Sequence, residues 1–164
     1  MRIISALIAA SAGMTLLTLA PVASAAPIPA RPVAAAPSAA RHAIVISEIW
    51  YNSPGRDTGS NVSLNHEWVQ LHNTTGHALS LTGWTLRDAA RHVYTFGSYR
   101  LPAHGYVRVH TGHGRDSGAN RYWRHSWYIW NNTGDKATLR TSAGTTRATC
   151  KYSDPGESRA YTHC

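Results

Sequence analysis

The chain has 164 residues, enough for one folded domain with little to spare, and its 43% hydrophobic content with six Trp and eight Tyr supplies large rigid surfaces for a core. That composition excludes a disordered chain. Sixteen Lys and Arg against eight Asp and Glu give a formal charge of +8, which turns any charged partner towards the acidic.

Met1 and Arg2 precede an apolar run from Ile3 to Ala20, then Pro21 and the triplet Ala23, Ser24, Ala25. A short basic start, an apolar stretch and an A-x-A site form the pattern of a secretory signal peptide over residues 1–25, cleaved after about Ala25. An uncleaved signal anchor is the alternative, because the run is just long enough to span a bilayer. No Cys lies near the site, so lipid modification there is not expected. Residues 26–42 are mostly Ala and Pro, with Pro27, Pro29, Pro32 and Pro37 removing backbone donors and Ala offering little to pack. They read as a disordered linker leading into a domain over residues 43–164, the expected mature protein being extracellular and without a transmembrane segment.

From Ala43 onward no run keeps a 3.6-residue period, and β-branched or aromatic clusters recur between Gly, Asn, Asp and Pro. A first strand spans Ile44 to Tyr51 and stops at Asn52, Ser53, Pro54 and Gly55. In Glu67 to Asn73, Glu67, Val69 and Leu71 face one way and Trp68, Gln70 and His72 the other. Leu79 to Leu86 and His92 to Phe96 follow. Tyr106 to Thr111 points Val107 and Val109 inward, and Lys136 to Thr141 points Ala137 and Leu139 inward with Lys136, Thr138 and Arg140 outward. Ser142, Ala143 and Gly144 then suit a hairpin into Thr145 to Lys151. The pattern predicts an all-β sandwich of about seven to nine strands.

Cys150 and Cys164 end the chain. In an exported protein an even pair points to a disulfide, against the alternative of two free thiols. Two Cys lack the second pair that a structural zinc site needs.

The run Glu67, Trp68, Val69, Gln70, Leu71, His72, Asn73, followed by Leu81, Thr82, Gly83, Trp84, Thr85, Leu86, Arg87, Asp88, resembles the signature of lamin tail domains, in particular their exported bacterial relatives. Ile46 to Ile49, Leu101 to Val107 and Trp130 to Leu139 agree in order, so the likeness covers roughly residues 44–152. It implies an immunoglobulin-like β-sandwich used for interaction or structure, with no family-wide catalytic site. Gln70 stands where such relatives often carry Glu. Within these blocks Trp84 after Gly83 reads as a core tryptophan. Trp130, Asn131, Asn132, Gly134 and Asp135 read as a stiff turn, because Asn and Asp bond nearby amides and Gly takes positive φ. Glu48 and Glu67 read as strand acids paired with arginine.

Ten His invite a metal or nuclease reading, yet His66, His72 and His77 lack the H-E-x-x-H spacing, and no Gly-rich phosphate loop or G-x-S-x-G occurs. No catalytic residue, metal site or cofactor is expected. The segment Arg115 to Trp130 crowds Arg121, Tyr122, Trp123, Arg124 and Trp127 together, and interleaved cations and rings bind polyanions by pairing with charge and stacking on rings. The alternative is that its aromatics are core or loop anchors covered by arginine stems. Fourteen Arg to two Lys follows genomic base composition as readily as selection. The expectation is a secreted interaction module for an anionic extracellular polymer or a protein. A hydrolase or metal-dependent nuclease using His and Glu, and an extracellular nucleic-acid binder, are the alternatives.

Overall fold

The computed structural model describes residues 43–164; the expected leader and linker lie outside them. In chain order the elements are β1 (Ile44–Trp50), α1 (Asn61–Asn65), β2 (Trp68–Asn73), β3 (Leu79–Ser80), β4 (Thr85–Arg87), β5 (Val93–Thr95), β6 (Arg100–Leu101), β7 (Tyr106–His110), β8 (Asn120–Tyr122), β9 (Gly134–Arg140), β10 (Thr146–Ser153) and β11 (Tyr161–His163). One sheet has the order β11-β1-β2-β7-β8 and a second the order β10-β9-β4-β5, while β3 and β6 form a small ribbon. All pairs are antiparallel except β7 with β8.

Side-chain alternation sets the two layers. Val69 and Leu71 of β2 and Val107 and Val109 of β7 are fully buried, as are Ala137 and Leu139 of β9. In β1 the apolar residues Ile44, Ile46 and Ile49 break the period of two. A bulge between Ile46 and Glu48 absorbs the extra residue, so Ile49 returns to the core and Glu48 and Trp50 face outward opposite Gln70 and Trp68. The inner faces of both sheets, with Leu81, Phe96, Leu101 and Trp130, form one hydrophobic cluster. This is an immunoglobulin-like β-sandwich with nine strands in its two main layers.

One expected strand divides. The stretch Leu79 to Leu86 is two strands in different sheets, because Gly83 sits at φ +75 and the Trp84 amide donates to Leu81 O at 2.8 Å, closing a turn. The chain thereby leaves β3, which pairs with β6, and enters the four-stranded sheet as β4 between β5 and β9. A Cβ on Gly83 would lie 3.1 Å from Ser142 Cβ.

Cys150 and Cys164 form a disulfide across a sequence separation of 14. It ties β10, at an edge of one sheet, to the end of β11, at an edge of the other. Among the described residues no Cys is free, and no helix is long and apolar enough to cross a membrane.

Candidate functional site

The aromatic and basic segment singled out in the sequence does not fold into one exposed face. Neighbouring residues of a strand point to opposite sides, and β8 separates Arg121 from Tyr122 in this way. Arg121 lies over the Tyr99 ring, 4.1 Å from its centroid, and its Nη1 is 3.7 Å from Asp116 Oδ2. Tyr122 stacks on His110 at 5.1 Å on the outer side of the sheet. Trp123 packs half-buried against the core, 5.9 Å from Tyr94 and 6.1 Å from Trp130. Arg124, in the left-handed region at φ +64, places Nη2 3.6 Å from the other Asp116 oxygen. Of the five residues, Arg124 and Trp127 are exposed, and Asp116 draws both arginines to itself.

Glu67 is buried at 0% exposure, and among the described residues no arginine meets it, contrary to the expected ion pair. Its Oε1 accepts from the Thr111 hydroxyl at 2.5 Å and from the Ile129 amide at 2.8 Å, while Oε2 has no partner. Burial pushes its carboxyl up to about 8 against the hydrogen bonds from Thr111 and from the Ile129 and Trp130 amides, with Asp57 adding to the rise. A neutral acid needs no cation, which is why the pairing rule fails here. Glu48 also makes no ion pair with a described arginine.

The remaining motif residues are architectural in position. Trp68 is covered by Arg108, 4.2 Å above its ring, and lies 5.8 Å from Trp50. Trp84 is half-buried and packs on the core, and Trp130 is inside it. Asp135 joins two loops: it accepts from the Ala89 amide at 3.0 Å, the Lys136 amide at 2.7 Å, and the Asn131 amide and Nδ2 at 3.3 and 3.2 Å. Gly134 has φ +147, and Asn132 Nδ2 reaches Asp57 at 3.4 Å.

His92 and His125 meet edge-on at 5.2 Å, but His66, His72 and His77 form no cluster with Glu67. Glu67 faces inward and His72 outward, where it stacks on Tyr106 at 4.2 Å. Among the described residues no group of three or more His, Cys, Asp or Glu could hold a metal ion.

The arrangement best suited to a ligand is the outer face of the four-stranded sheet, whose residues are far apart in sequence. Lys136 of β9 stands directly opposite Lys151 of β10. Thr138 faces Thr149 on one side and Arg87 of β4 on the other, and Arg140 faces Thr146 and Thr85. Arg87, Lys136, Thr138, Arg140, Thr146 and Thr149, with Asp88 and with Arg91 from the adjoining turn, line a shallow depression of about 340 Å³. Among the described residues none of Arg87, Arg91, Lys136, Arg140 and Lys151 makes an ion pair, and the buried Arg140 Nε lacks a hydrogen-bond partner there. Asp88, the acid in this lining, is buried and already holds the His92 amide at 2.7 Å and His92 Nδ1 at 2.6 Å. Like charges directly across a strand pair repel. The face therefore presents uncompensated cations interspersed with hydroxyl donors, a surface that carboxylates, sulfates or phosphates can neutralise.

The outer face of the other sheet differs in kind. Trp50 stacks on Tyr161 at 5.0 Å and lies tilted to Trp68 at 5.8 Å, and Arg108 is spent on Trp68 and on Gln70 Oε1 at 3.0 Å. Those groups satisfy one another.

No curated protein matches the chain. Residues 37–154 match the family described as Lamin Tail Domain, over well more than half the sequence. With that match spanning most of the sequence and the β-sandwich in place, the chain belongs to the lamin tail domain family.

Proposed function

We propose that the protein is an exported, non-enzymatic binding module that holds an anionic extracellular polymer on the outer face of β4, β9 and β10. The observation that carries this reading is the set of five cations there, none in an ion pair among the described residues, with Lys136 set against Lys151. The signal-peptide pattern of residues 1–25 and the Cys150–Cys164 disulfide support the extracellular setting. The lamin tail fold supports an interaction module.

The test is retention of the purified protein on immobilised linear polyphosphate as salt rises. Arg87→Ala with Lys136→Ala should elute at distinctly lower salt than the unsubstituted protein. Arg121→Ala with Arg124→Ala should shift elution less, because Asp116 already engages both side chains. Retention that is unchanged in the first double variant, or insensitive to salt, defeats the proposal. If single-stranded DNA is held much more strongly than polyphosphate, the ligand is a nucleic acid and not an anionic polymer in general. Its salt slope should then fall by about 0.7 for each contact removed.

A further inference from the structure

A second surface carries the opposite chemistry. Trp127 is 59% exposed, the most exposed Trp side chain among the described residues, yet it is held in place. Its six-membered ring lies against Gly59, where a Cβ would fall 2.5 Å from Trp127 Cζ3, and Gly59 occupies φ +66. Tyr128 meets Trp127 edge-on at 5.5 Å. The loop beneath is fixed from both sides, by the Ile129 amide on Glu67 Oε1 at 2.8 Å and by the Tyr128 hydroxyl on Ser63 Oγ at 2.5 Å. A large apolar ring presented to water on a fixed loop is what a stacking platform requires, since little side-chain freedom remains to be lost on binding.

Beside this ring lies an open groove of about 360 Å³, lined also by Tyr128, Trp130, Asp57, Glu157 and Asn132. Among the described residues Asp57 and Glu157 make no ion pair and no Lys or Arg lines the groove, although the chain as a whole carries +8. Glu157 adopts φ +48, uncommon for a residue with a side chain. Aromatic walls with a few carboxylate and amide groups at the rim match a ring that has an apolar face and hydrogen-bond donors around its edge. A pyranose has that shape: its C–H face packs on indole, and its hydroxyl or ammonium groups donate to Asp57, Glu157 and the Asn132 carbonyl oxygen. The local negative charge disfavours acidic sugars and any polyanion.

We propose that the Trp127 groove is a saccharide subsite that takes a neutral or amine-bearing pyranose ring, separate from the basic sheet face and independent of what that face binds.

The experiment titrates the purified protein with tetramers of glucose, N-acetylglucosamine and glucosamine, following the six indole N–H signals by NMR. At least one tetramer should shift the Trp127 signal saturably. Trp127→Ala should weaken that binding on the order of tenfold and Asp57→Asn several-fold, whereas Arg87→Ala with Lys136→Ala should leave it unchanged. Trp127→Phe, which keeps a ring on Gly59, should bind between the two and serves if the Ala variant does not fold. Absence of saturation by all three tetramers up to about 10 mM overturns the proposal. So does unchanged binding in folded Trp127 variants, or an equal response to polygalacturonate.

Discussion

Replacing Glu67 with Gln keeps the shape of the side chain and the oxygen that accepts from Thr111 and Ile129, and it puts an amide where Oε2 has no partner. What it removes is ionisation. Burial raises the Glu67 carboxyl from 4.5 to about 8, so the folded chain holds a proton that the unfolded chain gives up across that interval. The stability this protonated acid confers is therefore fully present below about pH 4.5 and is lost as pH climbs towards 8. At about 1.4 kcal/mol per unit, a group that titrates in this way loses on the order of 3 kcal/mol between about pH 5 and pH 8. Urea denaturation of both proteins at those two pH values measures it. Every other titratable group is common to the pair, so the difference between the two pH profiles isolates Glu67. The unsubstituted protein should lose on the order of 3 kcal/mol relative to Glu67→Gln as pH rises. Parallel profiles, or a relative gain with rising pH, would refute the account of Glu67 as a buried neutral acid.

Two further expectations concern the scaffold. Reducing the Cys150–Cys164 bridge, which closes a span of 14 residues, should cost about 3 kcal/mol in urea unfolding, and thiol titration of the unreduced protein should find no reactive thiol. Stability unaffected by reduction would mean that β11 is held by its pairing with β1 alone. Gly134→Ala places a Cβ 3.0 Å from Tyr152 O at φ +147 and should destabilise by about 1 to 3 kcal/mol. Gly97→Ala, with nothing within 4 Å of the new Cβ, should stay within about 0.5 kcal/mol, and equal losses at the two positions would refute the steric reasoning.

The strands that were legible in the sequence are those whose alternation faces a core on one side only. Val107 with Val109 and Ala137 with Leu139 announce both the strand and its buried face. The elements that escaped are short and owe their existence to distant partners. β11 is three residues long and is held by pairing with β1, by the Cys164 amide on Ser47 O at 3.1 Å and by the disulfide. β8 depends on its parallel pairing with β7. α1 is a single turn started by the Ser60 hydroxyl, which accepts from the Ser63 amide at 3.3 Å, and one turn is too short to show a helical period. Leu79 to Leu86 misled because its apolar residues continue through a Gly that the backbone uses at positive φ.

Proximity in sequence and proximity on a surface part company most clearly at the sites. Arg121 and Arg124 stand close to several rings along the chain, yet strand alternation turns Arg121 towards Tyr99 and Asp116 compensates both arginines. The cations of the basic face are scattered from Arg87 to Lys151, and only the register of β4, β9 and β10 gathers them. Half of that face was readable, since Lys136, Thr138 and Arg140 fall at outward positions of one alternating segment. The other half needed Lys151 to be placed against Lys136, which a hairpin through Ser142 to Gly144 leaves open until the bulge between Thr146 and Ala148 sets its register. That pairing also separates the two kinds of cation physically. Arg121 and Arg124 lower their energy within the fold, whereas Lys136 and Lys151 raise each other's, and a repulsion that the fold leaves in place is one that a bound anion can relieve.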